Sequence, residues 1–381
     1  MKIGGERDGV VYATRGLTVG TWDPKTGFDP RGTLPNPHTG RRRLAFGVVN
    51  HRETKRLLAP FVGRYTTTNV WPVGDRTLLA TAGRALFRST DRGGSWHHVH
   101  TLPADSGPMG VLPTSVCVSN GLVYLAEYTF GDGPARILRS EDDGETWTVH
   151  VRSNDHRHFH GVFTDPYSDR IWATAGDTDD ESAIGVLADG AFRPVGEGSQ
   201  RWRAVQLAFT PDSVVWGMDC SFSPAVELLE LPREAVGTDD PTPVTIGTVD
   251  ASVFYAETAT IDGDHWVVVA TAAETGLDST APPGSENTSS RRPRVLAARA
   301  ESGYETWHEL YSFVRRRTAA DLLPGVPTAS AYVYLTVVGS RVVVNPFNTG
   351  DTHGEVFATT LRRPDEMETE RRQRDDATPV R

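Results

Sequence analysis

Two stretches of this chain constrain its fold more than any other. Arg88-Ser89-Thr90-Asp91-Arg92-Gly93-Gly94-Ser95-Trp96 and Arg139-Ser140-Glu141-Asp142-Asp143-Gly144-Glu145-Thr146-Trp147 share the pattern Arg-Ser-x-Asp-x-Gly-x-(Ser/Thr)-Trp. Each stands between two short apolar runs. The physical reading is a tight hairpin. The Asp carboxylate accepts from backbone N–H groups of its own turn, the Gly takes a positive φ, and the Trp folds back over the apolar side.

The surrounding segments repeat at the same interval. Thr66–Pro72, Thr77–Ala82, Ala85–Ser89 and Ser95–Leu102 read as four antiparallel strands, and Ser115–Val118, Leu122–Tyr128, Arg136–Ser140 and Thr146–Arg152 repeat the unit. Further units follow, and Thr306-Trp307 keeps the end of a decayed third copy of the repeated stretch. The last unit offers three strands, and Val10–Thr14 is the natural donor of a fourth, because a closed ring removes the exposed edge. Leu44–Val49 and Leu57–Val62 also read as strands. The expected fold is all-β: one β-propeller over residues 1–361 with four-stranded antiparallel blades. Seven blades of roughly 50 residues are favoured, with six as the alternative. Glu274–Pro293, rich in Ser, Thr, Pro and Gly, reads as a flap over one face, and residues 362–381 as a charged, disordered tail.

Composition narrows the partners. The 381 residues carry a net charge of −10, with 49 acidic and 39 basic side chains. No basic run is interleaved with aromatics, so nucleic acid is not an expected partner. Only Lys2, Lys25 and Lys55 are lysines, a bias that fits either a salt-adapted, high-GC source or codon usage alone. The two cysteines, Cys117 and Cys220, suggest neither a disulfide framework nor a zinc motif. No apolar leader or membrane-length run is visible, so no membrane partner is expected and the cytoplasm is the expected compartment.

The repeated stretches resemble the Asp-box, or bacterial neuraminidase repeat, of sialidases and many other β-propellers. The resemblance implies a sialidase-like scaffold, in a superfamily that includes glycosidases, lyases and non-catalytic sensors. A sialidase proper would carry Arg-Ile-Pro early in the chain, three arginines for the substrate carboxylate, and a Tyr/Glu nucleophile pair. No Arg-Ile-Pro occurs here. The box residues themselves are scaffold.

Propeller topology directs attention elsewhere, to the rim shared by first-strand starts and the loops joining second and third strands. That rim collects Glu127, Tyr128, His156, His158, His160, Asp177, Arg201, Arg203, Gln206, Asp219 and Asn345. In an extended segment, His156, His158 and His160 fall on one face, a set suited to a divalent metal, the candidate cofactor. Same-face neighbours lie ~7 Å apart, so two His with Asp177 or Asp219 make the better ligand set unless the segment bends. The alternatives are His158 and His160 as general bases, or ordinary channel-lining residues. Asp177 and Asp219 end equivalent strands of adjacent blades, as an acid/base carboxylate pair would. Glu127, Tyr128, Arg203, Gln206 and Asn345 are candidates for substrate binding.

Two functions are therefore expected as alternatives. One is a hydrolase or lyase acting on an acidic glycan at this rim; the other is a non-catalytic propeller binding a glycan, a small molecule or a protein there.

Overall fold

The computed structural model describes residues 1–51, 53–54, 57, 68–106, 110–223, 225–275, 290, 292–317, 321 and 329–362. It is a seven-bladed β-propeller, each blade an antiparallel meander. The first blade comprises Lys2–Arg7, Val10–Arg15, Thr18–Asp23 and Gly27–Thr33, and the second Thr68–Pro72, Leu78–Ala82, Ala85–Ser89 and His97–Thr101. The third is Val116–Ser119, Leu122–Ala126, Ala135–Ser140 and Thr148–Ser153. The fourth is Phe159–Thr164, Ile171–Ala175, Ala183–Ala188 and Ala191–Glu197. The fifth is Ala208–Phe209, Ser213–Gly217, Val226–Pro232 and Val244–Val249. The sixth is Val253–Ile261, Asp264–Thr271, Arg294–Arg299 and His308–Ser312. Tyr332–Val338, Arg341–Phe347 and Phe357–Thr360 form the seventh, three-stranded among the described residues.

Inner strands are buried on both faces, because each blade is covered by a neighbour on either side. Leu78–Ala82 and Ser213–Gly217 are buried along their whole length, whereas the outer strand His97–Thr101 has no fully buried residue. Continuous apolar runs therefore mark second strands, and mixed runs mark the periphery.

The ring closes differently from the expectation. Val10–Arg15 is the second strand of the first blade, paired with Lys2–Arg7 and Thr18–Asp23, and lends nothing to the last blade. Closure comes from Lys2–Arg7, which lies against both Thr68–Pro72 and Tyr332–Val338. Ile3 and Val11 share a core with Val333 and Val342, and the Ile3 N–H donates to Asn345 Oδ1 at 3.2 Å. Leu44–Val49 is also not a strand: Gly40–Asn50 is an α-helix. The first blade already has its four strands at Thr33, and Arg, Leu and Ala favour a helix. Nearly all of Leu57–Val62 and of the Glu274–Pro293 flap, together with residues 363–381, lies outside the described residues.

The two repeated turns are built alike, bond for bond. Ser89 Oγ donates to Asp91 Oδ1 at 2.7 Å and accepts from the Gly93 N–H at 2.8 Å. Asp91 accepts from Ser95 N–H at 2.9 Å and Ser95 Oγ at 2.7 Å. In the second turn the same partners are Ser140, Asp142, Gly144 and Thr146, with lengths of 2.6 to 2.8 Å. Gly93 and Gly144 have φ of 93° and 85°. Trp96 and Trp147 donate to the carbonyls of Gly93 and Gly144 and are half-buried against core side chains.

These bonds hold both carboxyls down at about 2, the leading causes being the Ser95 N–H for Asp91 and the Thr146 hydroxyl for Asp142. Asp142→Ala is expected to lower stability by about 1–2 kcal/mol, the net worth of a few exposed hydrogen bonds. Because the folded pKa is depressed, this contribution is present above the ordinary value of 3.8 and lost as pH falls toward about 2. Urea titrations at neutral and acid pH check both: wild type and variant should converge in acid.

Candidate functional site

The fourth blade begins with an irregularity. Phe159 pairs with Ala175 and Gly161 with Thr174, which leaves His160 as the extra residue of a bulge. A bulge re-aims its side chain. The His160 carbonyl, taken out of the ladder, accepts from Thr114 Oγ1 at 2.6 Å. Residues 154–158 are bends rather than strand. The period of two therefore fails on both sides, with opposite consequences for the three histidines.

His158 and His160 are turned together, their Nε2 atoms 3.0 Å apart. Asp177 closes the group, with Oδ1 3.1 Å from His160 Nε2 and Oδ2 3.4 Å from His158 Nε2. His156 turns away. Its Nδ1 is 2.7 Å from Ser153 Oγ, and its ring packs against Phe159 and Phe192. The expected ligand set His156, His158, His160 is thus corrected to His158, His160 and Asp177, whose ligand atoms lie within 4.8 Å of one another.

Each element has a local reason to be where it is. Gly176 has φ 77°, and a Cβ there would come 1.9 Å from the Glu181 carbonyl oxygen, so only glycine turns the chain into Asp177. The Gly176 N–H donates to the His158 carbonyl at 3.2 Å, tying the two together. Arg203 follows the 3-10 turn Gln200–Trp202, which is anchored by Trp202 stacking on Trp216 at 5.4 Å. Its guanidinium reaches Asp177 at 3.4 Å and Asp219 at 3.5 Å, and donates to the Asp177 carbonyl at 3.0 Å. Arg157 pairs with the outer side of Asp177 at 3.2 Å. Tyr128 leans over His158 with centroids 4.2 Å apart, and Phe130 completes the wall.

Protonation follows from these contacts. The Nδ1 of His158 lies 2.8 Å from the Thr129 carbonyl, and that of His160 lies 3.1 Å from the Ala204 carbonyl. A carbonyl only accepts, so both Nδ1 atoms carry a proton and both Nε2 atoms face inward. Burial pushes the His158 imidazole down, against the opposing pull of Asp177. Burial alone would raise the Asp177 carboxyl, but the hydrogen bonds with His158 and His160 outweigh it and hold Asp177 well below the usual carboxylate range. Burial, reinforced by Asp177 and Asp219, pushes the Tyr128 phenol up. Two Nε2 atoms and an ionised carboxylate thus face one point. A cation satisfies them, either a proton held between the rings or a metal ion with two imidazoles and a carboxylate.

Asp177, its carboxyl held well below the usual range, does not fit the raised-pKa acid of a two-carboxylate pair. Three other candidates are not brought to the cluster. Glu127 is buried and held by Arg136 at 2.6 and 3.0 Å. Gln206 lines the central channel and donates to Glu257 at 2.8 Å. Asn345 belongs to the ring closure. Arg157, Phe130 and Gln200 do reach the site. Only Arg157 had a sequence signal, its place between two histidines, and the period of two puts it on the wrong face.

The geometry defines the chain as a seven-bladed β-propeller with a polar cluster at one rim. No family model and no curated protein sequence matches it. Among solved structures, an ancestral GH74 enzyme matches at 13% identity and a TM-score of 0.51, over 96% of this chain and 45% of that one. The chain therefore spans less than half of that enzyme. An α-L-arabinofuranosidase from Fusarium graminearum matches at 11% and 0.45, over 79% of this chain and 94% of its own. A Hadza microbial sialidase matches at 14% and 0.41, over 77% and 65%. At such identities the likeness is one of fold. Among the described residues, no helix is long and apolar enough to cross a membrane.

Acid should weaken the metal-free protein. Unfolded His158 takes up a proton near its ordinary value of 6.5, whereas the folded residue does so only at lower pH. Stability is then fully present above that value and declines as pH falls below it. Asp177, whose folded value is depressed, adds loss of the same sign only below about its ordinary 3.8. Urea midpoints should fall from neutral pH toward pH 5 in wild type. His158→Gln should flatten that slope.

Proposed function

We propose that this chain is a carbohydrate-active propeller that acts on an acidic glycan, and that His158, His160 and Asp177 hold a divalent metal ion at its active rim. The observation that carries the metal reading is the pair of Nδ1–H donations to the Thr129 and Ala204 carbonyls. They fix both imidazoles with Nε2 inward beside an ionised carboxylate, the outer-sphere arrangement that metal-bound histidines use. A bound ion would neutralise a sugar carboxylate or polarise an oxygen of the scissile bond.

The chain's own residues supply the rest. Arg157, half-buried beside Asp177, can meet the sugar's anionic group, while Arg203 orients Asp177 and Asp219. Tyr128, protonated and tilted over His158, can donate a hydrogen bond to a leaving oxygen. Asp219, the second carboxylate beside Arg203, would accept one. The acidic substrate, the Asp-box kinship of the scaffold and the choice between hydrolysis and elimination belong to this reading. The GH74, sialidase and arabinofuranosidase folds fit it in general terms only.

The test begins with metal titration of chelator-treated protein by calorimetry, using zinc, manganese and calcium separately. One ion per chain is expected, with affinity weakened roughly 100-fold or more in Asp177→Asn and His158→Ala. Turnover of uronate-containing or sialylated oligosaccharides should vanish with chelator and return with the ion. Binding without turnover would favour the non-catalytic alternative. No ion bound, with activity intact, would leave a shared proton as the occupant of the cluster.

A further inference from the structure

A second polar feature opens on the same rim, at blades seven and one. It is a cleft of about 600 Å³, within the size range of small-ligand pockets. Its charge runs against that of the whole molecule. The chain carries more acidic than basic side chains, yet Lys2, Arg15, Arg315, Arg316 and Arg317 line this cleft against Asp351 and Glu355. A concave surface with low-dielectric walls focuses such a field on whatever enters.

Topology explains the convergence. Lys2 begins the first strand of blade one, and Arg15 sits at the hairpin between its second and third strands. Arg315 to Arg317 follow the last strand of blade six, where the chain crosses to blade seven. Asp351 and Glu355 come from the loop between the second and third strands of blade seven. These are the same positions in the blade repeat that carry His158, Asp177 and Arg203 in blades four and five. Both features therefore face one side of the ring, on different arcs of the channel mouth.

The arginine run is held in place by its backbone. The Arg316 N–H donates to the Asn348 carbonyl at 2.9 Å, and the Gly350 N–H to the Val314 carbonyl at 3.0 Å. Arg315 bridges to Thr349 and pairs with Asp321. The Lys2 ammonium is buried, donates to Asn69 Oδ1 and lies 4.9 Å from the centroid of the Tyr334 ring. Arg15 and Arg317 are exposed at the edge. A fixed basic rail with exposed guanidiniums at its edge suits oxyanions, which such groups bind in forked pairs.

We propose that this cleft is an anion-binding subsite that holds carboxylate or sulfate groups of an acidic oligosaccharide whose other end reaches the His158–His160–Asp177 centre. The identity of the ligand rests on the glycan reading above; the anion binding does not. A closed ring with both sites on one face lets a single extended chain bridge the channel mouth.

The test measures binding of three six-sugar probes to metal-free full-length protein by calorimetry: a galacturonate oligomer, a sulfated oligomer and a neutral glucose oligomer. Wild type is compared with the charge reversal Arg15→Glu/Arg317→Glu. At least one acidic probe should bind, losing roughly tenfold or more in the charge reversal and weakening as salt rises. Which acidic probe binds distinguishes carboxylate from sulfate. Equal binding of the neutral probe, or an unchanged affinity in the charge reversal, overturns the proposal. Should acidic probes bind in the cleft and never be turned over with metal restored, the subsite stands and the enzyme reading falls. Turnover that is indifferent to the charge reversal would instead remove the subsite and leave the metal centre standing.

Discussion

Everything in this molecule depends on covering both faces of every sheet. A blade whose second strand is buried along its whole length, as Leu78–Ala82 is, has two apolar faces and no way to satisfy both alone. Packing blade on blade covers them all only if the series closes on itself. The cores show this continuity: Ile3 and Val11 of the first blade share one cluster with Val333 and Val342 of the last. Closure then brings seven first strands around one channel, and the rim of that channel is where side chains from distant parts of the sequence meet.

The polar rim cluster exists on the terms of that packing. Asp177 is buried, and burial opposes its charge, yet two imidazoles and two guanidiniums around it more than offset the cost. Buried charge arrays of this kind are seldom the most stabilising use of a site. Two backbone carbonyls, those of Thr129 and Ala204, fix the ring tautomers from blade three and from the approach to blade five. Three successive blades must therefore be in place before the cluster has its shape. The basic cleft at blades seven and one depends in the same way on the closing contact between the ends of the ring.

Part of this is legible residue by residue. The two repeated turns are, because their bonds span at most four residues: Ser89, Asp91, Gly93 and Ser95 satisfy one another locally whatever surrounds them. Asp177 and Asp219 can be read as equivalent strand ends from the repeat alone. His156 escapes such reading, since alternation holds only where the chain is extended and residues 154–158 bend. Leu44–Val49 escapes it too, because a short apolar run fits helix and strand alike, and the first blade already has its four strands. Glu127 and Asn345 lie at suitable heights on the rim, but Arg136 and the closing strand claim them.

By itself the sequence determined the blade repeat, the hairpin chemistry and the rim on which polar side chains would gather, because these follow from periods and bonds a few residues long. Tertiary structure alone decided which of those side chains meet. The bulge at His160, the glycine-only turn at Gly176 and the carbonyls of Thr129 and Ala204 set orientations to within about an ångström. Those orientations arise from contacts tens of residues apart, within blade four and with its neighbours three and five, which no local pattern encodes.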